Sequence, residues 1–154
     1  MTIEILIASD HGGTRLKSTL ISHLTANGMT ATDLGPEADG ASVDYPDYAA
    51  KLARSIRSND GMGILICGSG IGMSIAVNRY EWVRAALVHD ETSARLCREH
   101  NNANVIVLGE RLIGELTAIS CVDVFLNTGF AGGRHQRRVE KLGNPSGLLI
   151  QQEK

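Results

Sequence analysis

The sequence predicts an α/β chain, a single-domain, Rossmann-like three-layer sandwich around a five-stranded parallel sheet. Two observations predict it. Short apolar runs of strand length alternate with longer segments whose apolar residues recur three and four positions apart. Such alternation calls for a parallel sheet covered by helices on both faces. The third apolar run leads directly into "CGSGIG", and a glycine-rich loop belongs at the carboxyl end of a strand in this class.

The elements follow in order. Ile3 to Ala8 is apolar except for Glu4 and suits a strand buried on both faces. Leu16, Leu20, Ile21 and Leu24 form one helical stripe, stopped by Asn27-Gly28. Thr30 to Leu34 is a short strand, and Gly35 to Asp44 a polar loop. Tyr48, Leu52 and Ile56 mark the next helix, with Pro46 in its first turn. Gly63 to Cys67 is a strand and Ile71 to Asn78 a helix; Arg84 to Val88 is a strand and Glu91 to Glu99 a helix. Val105 to Gly109 is a strand, and Gly114 to Asn127 a helix whose stripe is Leu116, Ile119, Val122 and Leu126. A short basic helix over Arg134 to Leu142 closes a domain of residues 1–142. Asn144-Pro145-Ser146-Gly147 then breaks structure before a tail, residues 143–154, that carries Leu148, Leu149 and Ile150.

For a sheet of this size the expected strand order is 2-1-3-4-5. Strands 1 and 3 are then neighbours, and their carboxyl ends flank the switch point where ligands bind. Asp10-His11 ends the first strand and Cys67 the third, so the three residues should share a crevice.

Composition excludes several classes of function. A formal net charge of −2 provides no global field for nucleic acid or a membrane surface. The stretch without charge between Asp60 and Arg79 carries too many glycines to be a spanning helix. The N-terminal segment has an acid at Glu4 and no basic region, so it does not read as a signal peptide. Three cysteines, Cys67, Cys97 and Cys121, lack a disulfide framework and suit a reducing, cytoplasmic compartment.

Four chemistries compete for the glycine loop. A dinucleotide site has Gly68-Ser69-Gly70 opening a helix and Asp90 roughly 20 residues on. Met73 stands where that fingerprint needs a small residue, however, and the loop follows the third strand instead of the first. A thiol phosphatase would need an arginine at position 73, and a phosphoacceptor module an aspartate at 67. Proton transfer at carbon fits better. Backbone N–H groups from Gly68 to Gly72 make a concavity for a developing oxyanion, and a cysteine at a helix N-terminus is held toward its thiolate. A base beside oxyanion donors is what enediolate formation requires. The plainer alternative for Cys67 is a small buried hydrophobe, and for Cys97 and Cys121 that is the reading.

In "GGRHQRRVEKL", Arg134 and Arg138 stand at i, i+4 and so on one helical face. A cation near a helix N-terminus opposes the dipole unless it meets an anion, which points Arg134 toward phosphate.

The motifs "SDHGG", "DYPDYA", "ILICGSGIGMSIAVN", "REHNNANVIVLGERLIG" and "GGRHQRRVEKL" resemble, in order and spacing, those of the ribose-5-phosphate isomerase B family. That family also includes allose- and galactose-6-phosphate isomerases. The resemblance covers residues 9–142 and implies a dimerising five-stranded sandwich, with a homodimer or a dimer of dimers as the assembly. It implies that Cys67 is the base between C2 and C1 of an open-chain aldose phosphate, as in the cysteine branch of the family. Ser69 would move the proton between O1 and O2, and the N–H groups of Gly68, Gly70, Ile71 and Gly72 would hold the enediolate. His100 would open the sugar ring with Asp10 as counterpart. Asn101 would bind sugar hydroxyls, His11, Arg111, Arg134 and Arg138 the phosphate, and Tyr45 would line the sugar site. Each site would combine the Cys67 loop of one subunit with groups from its neighbour. His23 and His89 match no such position. No metal or cofactor is expected, since the N–H nest takes that part and the histidines lack zinc-ligand spacing. The sugar is expected to be D-ribose 5-phosphate, with a six-carbon phosphate as the alternative. A non-catalytic nucleotide-binding module is the alternative of a different class.

Overall fold

A computed structural model describes residues 4–57 and 61–144. The expected start of the first strand at Ile3 and the apolar tail residues lie outside the described residues. The chain alternates as its pattern predicts: β1 (Ile5–Ser9), α1 (Thr14–Ala26), β2 (Ala31–Asp33), α2 (Tyr45–Arg57), β3 (Met62–Cys67), α3 (Ile71–Val77), β4 (Ala85–Leu87), α4 (Glu91–Asn101), β5 (Val105–Gly109), α5 (Glu115–Asn127), a 3₁₀ turn (Gly133–His135) and α6 (Gln136–Leu142). All strand pairs are parallel.

The strand order is β2-β1-β3-β5-β4, which corrects the expected 2-1-3-4-5. The reason is burial. β5, "VIVLG", is buried at every position and pairs with β3 over five residues, from Gly63↔Val105 to Cys67↔Gly109. β4, "AAL", has three half-buried residues and can occupy only an edge. Adjacent β1 and β3 nevertheless survive the correction, and with them the switch point.

Alternation along each strand sorts side chains between two cores. Ile5, Ile7, Ile64, Ile66, Ile106 and Leu108 pack with α1, α4 and α5. Leu6, Ala8, Leu65, Cys67, Val105 and Val107 pack with α2 and α3. Cys67 therefore faces the α2–α3 layer. Ala118, Cys121, Val122 and Phe125 are the fully buried residues of α5, whereas Leu116, expected on that stripe, is 80% exposed. The stripe is rotated because α5 packs on α4 and α1 as well as on the sheet.

Lys17 went unnoticed in the sequence. It lies in the core side of α1, 3% exposed, with Nζ donating to Asp33 Oδ1 at 2.7 Å and to Pro36 O at 2.6 Å. A buried cation needs such partners, and the pair ties α1 to the end of β2. Asp90 is likewise accounted for locally. Its carboxylate caps α4 by accepting from Ser93 N at 2.8 Å, which holds it below the ordinary carboxylate range. The acid that a dinucleotide site would have used is a helix cap. Among the described residues no helix is long and apolar enough to cross a membrane.

Candidate active site

The carboxyl ends of β1 and β3 open into a cavity of about 300 Å3 lined by Asp10, Tyr45, Cys67, Gly68, Ser69, Gly72, Arg111 and Leu112. Seven of these eight were singled out in the sequence, and the shared crevice of Asp10 and Cys67 is as expected. Asp10 is 8% exposed, and its Oδ1 accepts from Gly12 N at 2.8 Å. His11, expected in the same crevice, is not among the lining residues: it is exposed, with Nδ1 3.2 Å from the backbone of Val43.

The loop after β3 is built around the thiol. Gly70 N donates to Cys67 Sγ at 3.0 Å, and Ile71 N donates to Ser69 Oγ at 3.3 Å. Backbone donors expected to face a ligand thus first hold the two side chains expected to move protons. The turn requires Gly70 itself, whose φ is +76° and whose Cβ would stand 2.5 Å from Leu87 Cδ1. The neighbouring strand is as tightly fitted. A Cβ at Gly109 would lie 2.5 Å from both C and O of Ser69, so Gly109→Ala should push the loop away from β5. An overpacking cost of about 1–3 kcal/mol is expected. Thermal unfolding checks it: an unchanged melting temperature would mean that the loop yields freely.

Two larger groups close the pocket. The Tyr45 ring stands where a Cβ of Gly72 would be 2.7 Å from its Cζ. The Arg111 guanidinium lies over Gly68, 3.4 Å from such a Cβ, and Arg111 N donates to Gly68 O at 3.0 Å. Glu110, between them in sequence, turns the other way: its carboxylate accepts from Leu16 N at 2.9 Å and pairs with Arg15.

His100, Asn101, Arg134 and Arg138 are elsewhere. α4 returns across the sheet from its cap at Asp90, so His100 and Asn101 end near the start of β5, the opposite end from Gly109 and Cys67. Five strand residues at ~3.3 Å each put roughly 16 Å between the two groups. Within one chain, Asp10 and His100 do not meet. At that end His100 stacks on His135, with ring centroids 4.3 Å apart and planes 10° from parallel. His135 was not assigned a role from sequence, although its place between Arg134 and Arg138 in "GRHQRR" was the available signal. Desolvation and the nearby His100, Arg134 and Arg138 charges hold it below the ordinary imidazole value. Arg134 belongs to the 3₁₀ turn and Arg138 to α6, so the pair spans a junction instead of one regular helix.

The other thiols fit their structural assignment. Burial pushes Cys97 and Cys121 each up to about 11. His23 Nε2 lies 2.8 Å from Asp123 Oδ1, and His89 is exposed. Among the described residues no group of three His, Cys, Asp or Glu side chains is placed to hold a metal ion.

A thiol inside a backbone N–H turn, beside a carboxylate and a guanidinium at the switch point, defines a doubly wound α/β protein suited to chemistry on a small anionic ligand. Comparison narrows that class. The profile of the Ribose/Galactose Isomerase family matches residues 5–142, and the chain belongs to that family. It is 44% identical over 144 residues to a probable ribose-5-phosphate isomerase B of Mycoplasma genitalium, covering 92% of this chain and 95% of that protein. The crystal structure of a ribose 5-phosphate isomerase from Thermotoga maritima superposes with a TM-score of 0.89 at 50% identity, covering 93% of this chain and 99% of that one. A ribose-5-phosphate isomerase B from Mycoplasma genitalium, solved with bound ribulose-5-phosphate, gives 0.90 at 43% identity, covering 96% and 98%.

Proposed function

We propose that this chain interconverts D-ribose 5-phosphate and D-ribulose 5-phosphate through an enediolate. The observation that carries the reading is Cys67 Sγ, held 3.0 Å from Gly70 N in the pocket shared by Asp10, Ser69 and Arg111. The Cys67 thiolate takes the proton from C2 of the open-chain aldose and returns it to C1. Ser69 passes a proton between O1 and O2, so the enediolate neither gains nor loses one overall. The N–H groups at Gly68 and Gly72 and the Arg111 charge favour the developing oxyanion over the neutral carbonyl, while those of Gly70 and Ile71 hold Cys67 and Ser69. Family membership and the relatives named for this activity support the choice of sugar. Three cysteines without a disulfide among them support a reducing compartment, and so a cytoplasmic site of action.

The active unit is at least a homodimer in this reading. Cys67 and His100 stand at opposite ends of the sheet, so a second copy must bring His100, Asn101, Arg134 and Arg138 to the Cys67 pocket. Ile71 and Ile75, 52% and 58% exposed, support the contact: they lie one turn apart on α3, directly after the catalytic loop. Ring opening then falls to Asp10 of one copy and His100 of the other.

The test is incubation with ribose 5-phosphate in deuterated water, with allose and galactose 6-phosphates alongside. Deuterium should enter at the C1/C2 carbons as ribulose 5-phosphate forms, with slower turnover of the six-carbon sugars. Failure of all three sugars to yield a ketose phosphate would end the isomerase reading. Arg134→Ala and Arg138→Ala should each raise KM, roughly tenfold or more, with kcat little changed. Each contact to a charged group is worth about 1.5–3 kcal/mol and is made in ground and transition states alike. Wild-type KM in both variants would make these arginines an ordinary solvated surface.

A further inference from the structure

The start of β3 opens into a second cavity, of about 410 Å3, whose lining includes Arg57, Arg84, Arg98, Trp82 and Asn102. Met62, the first residue of β3, is part of it, and Cys67, the last, lines the other pocket. The two openings are therefore separated by the length of a strand, roughly 17 Å.

Three guanidiniums converge here, and among the described residues none of them has a carboxylate partner. Arg98 is the most enclosed, 8% exposed. It donates only to neutral acceptors: Nε to Thr128 O at 3.1 Å, and Nη1 to Asn102 Oδ1 at 3.3 Å and to Ala103 O. Arg84 donates through Nε to Asn102 O at 2.8 Å. Among the described residues these contacts leave the Nη2 atom of Arg98 and both Nη atoms of Arg84 with donors to spare. Among the described residues the buried side-chain nitrogen or oxygen without a partner is Ser9 Oγ alone, so those donors are open to the cavity and not sealed in the core.

The charges also repel. Burial lowers the pKa of both Arg84 and Arg98, and the Arg84 charge lowers that of Arg98 further. Carbonyl oxygens satisfy hydrogen bonds but do not cancel a net charge in a site of reduced dielectric. Arg57 completes the ring from the end of α2, its Cζ 4.3 Å from the centre of the Trp82 ring, while Trp82 Nε1 is anchored on Ala53 O at 2.8 Å.

We infer that this cavity is a second anion site, taking a phosphate dianion either free or as the head of a small phosphate ester. A carboxylate would occupy one guanidinium fork. A phosphate presents enough oxygens, and enough charge, for Arg84, Arg98 and Arg57 together.

Trp82 is the single tryptophan of the chain, so its emission reports on this cavity directly. The experiment titrates inorganic phosphate into the intact protein at constant ionic strength, with chloride as the exchanged ion. A saturable change in Trp82 emission is expected. It should survive unchanged in an Arg134→Ala/Arg138→Ala double variant and weaken roughly tenfold or more in Arg84→Gln. Should Arg84→Gln lose its fold by circular dichroism, Arg57→Ala serves, since Arg57 is exposed; it should weaken binding while leaving isomerase turnover at the wild-type level. Glycerol phosphate separates the sources: tighter binding than inorganic phosphate assigns the site to an ester, weaker binding to the free ion. A non-saturating response shared with chloride overturns the proposal. So does a response abolished in the Arg134/Arg138 double variant, which would place the signal at the sugar-phosphate site.

Discussion

Cys67→Ala abolishes isomerisation, about 10²–10⁴-fold or more in kcat, while fold and sugar-phosphate binding survive. A positioned base contributes on that order, and in the proposed proton transfer no other side chain lining the pocket takes the proton from C2. Asp10 and Ser69 line the same cavity, but Asp10 is assigned to the ring oxygen and Ser69 to the proton between O1 and O2. The loss of packing is small, because the side chain removed is a single sulfur at the mouth of a cavity. The measurements are steady-state turnover, solvent deuterium exchange, and a thermal melt with and without sugar phosphate. Cys97→Ala and Cys121→Ala provide the contrast: both thiols are raised to about 11 by burial and should stay active. A thiol reagent should inactivate the wild type, and bound sugar phosphate should protect it. Retention of more than a small fraction of kcat in Cys67→Ala would place the base elsewhere.

His100→Ala is nearly as damaging on the cyclic sugar and harmless to proton exchange on an open-chain analogue, because His100 acts on the ring oxygen and not on C2. Equal loss on both substrates would give it a different role. Its partner experiment probes the assembly. Cys67→Ala and His100→Ala preparations, each inactive alone, are mixed, dissociated and allowed to reassociate. In a mixed dimer one site carries both substitutions and the other carries neither. Random pairing therefore restores about a quarter of wild-type activity. No recovery, with mixed dimers confirmed by mass spectrometry, would show that His100 serves the Cys67 of its own chain.

Much of this protein was legible in the sequence because it is local. Short apolar runs and a period of three to four residues placed every described strand and helix within a few positions. Asn27-Gly28 marked the end of α1 through the backbone groups that a helix leaves unpaired, whereas the capping role of Asp90 emerged only from the structure. Cys67 and Asp10 were identifiable because chemistry at the switch point draws on residues at strand ends, and Ser69 through the family resemblance of its motif. What periodicity does not carry is which strand lies beside which. That β5 displaces β4 from the centre followed from comparing burial along whole strands, a property of the assembled sheet. Nor does it carry depth: nothing in the sequence pattern set Lys17 and Arg98 apart from other cations, and only packing revealed that their charges sit against the core. The division of the site is the clearest case. His100 follows the loop of Cys67 in the sequence motifs as though the two were neighbours. A crossover helix must run back against its strand, however, so α4 delivers His100 to the far end of the sheet, and that separation exists only in three dimensions.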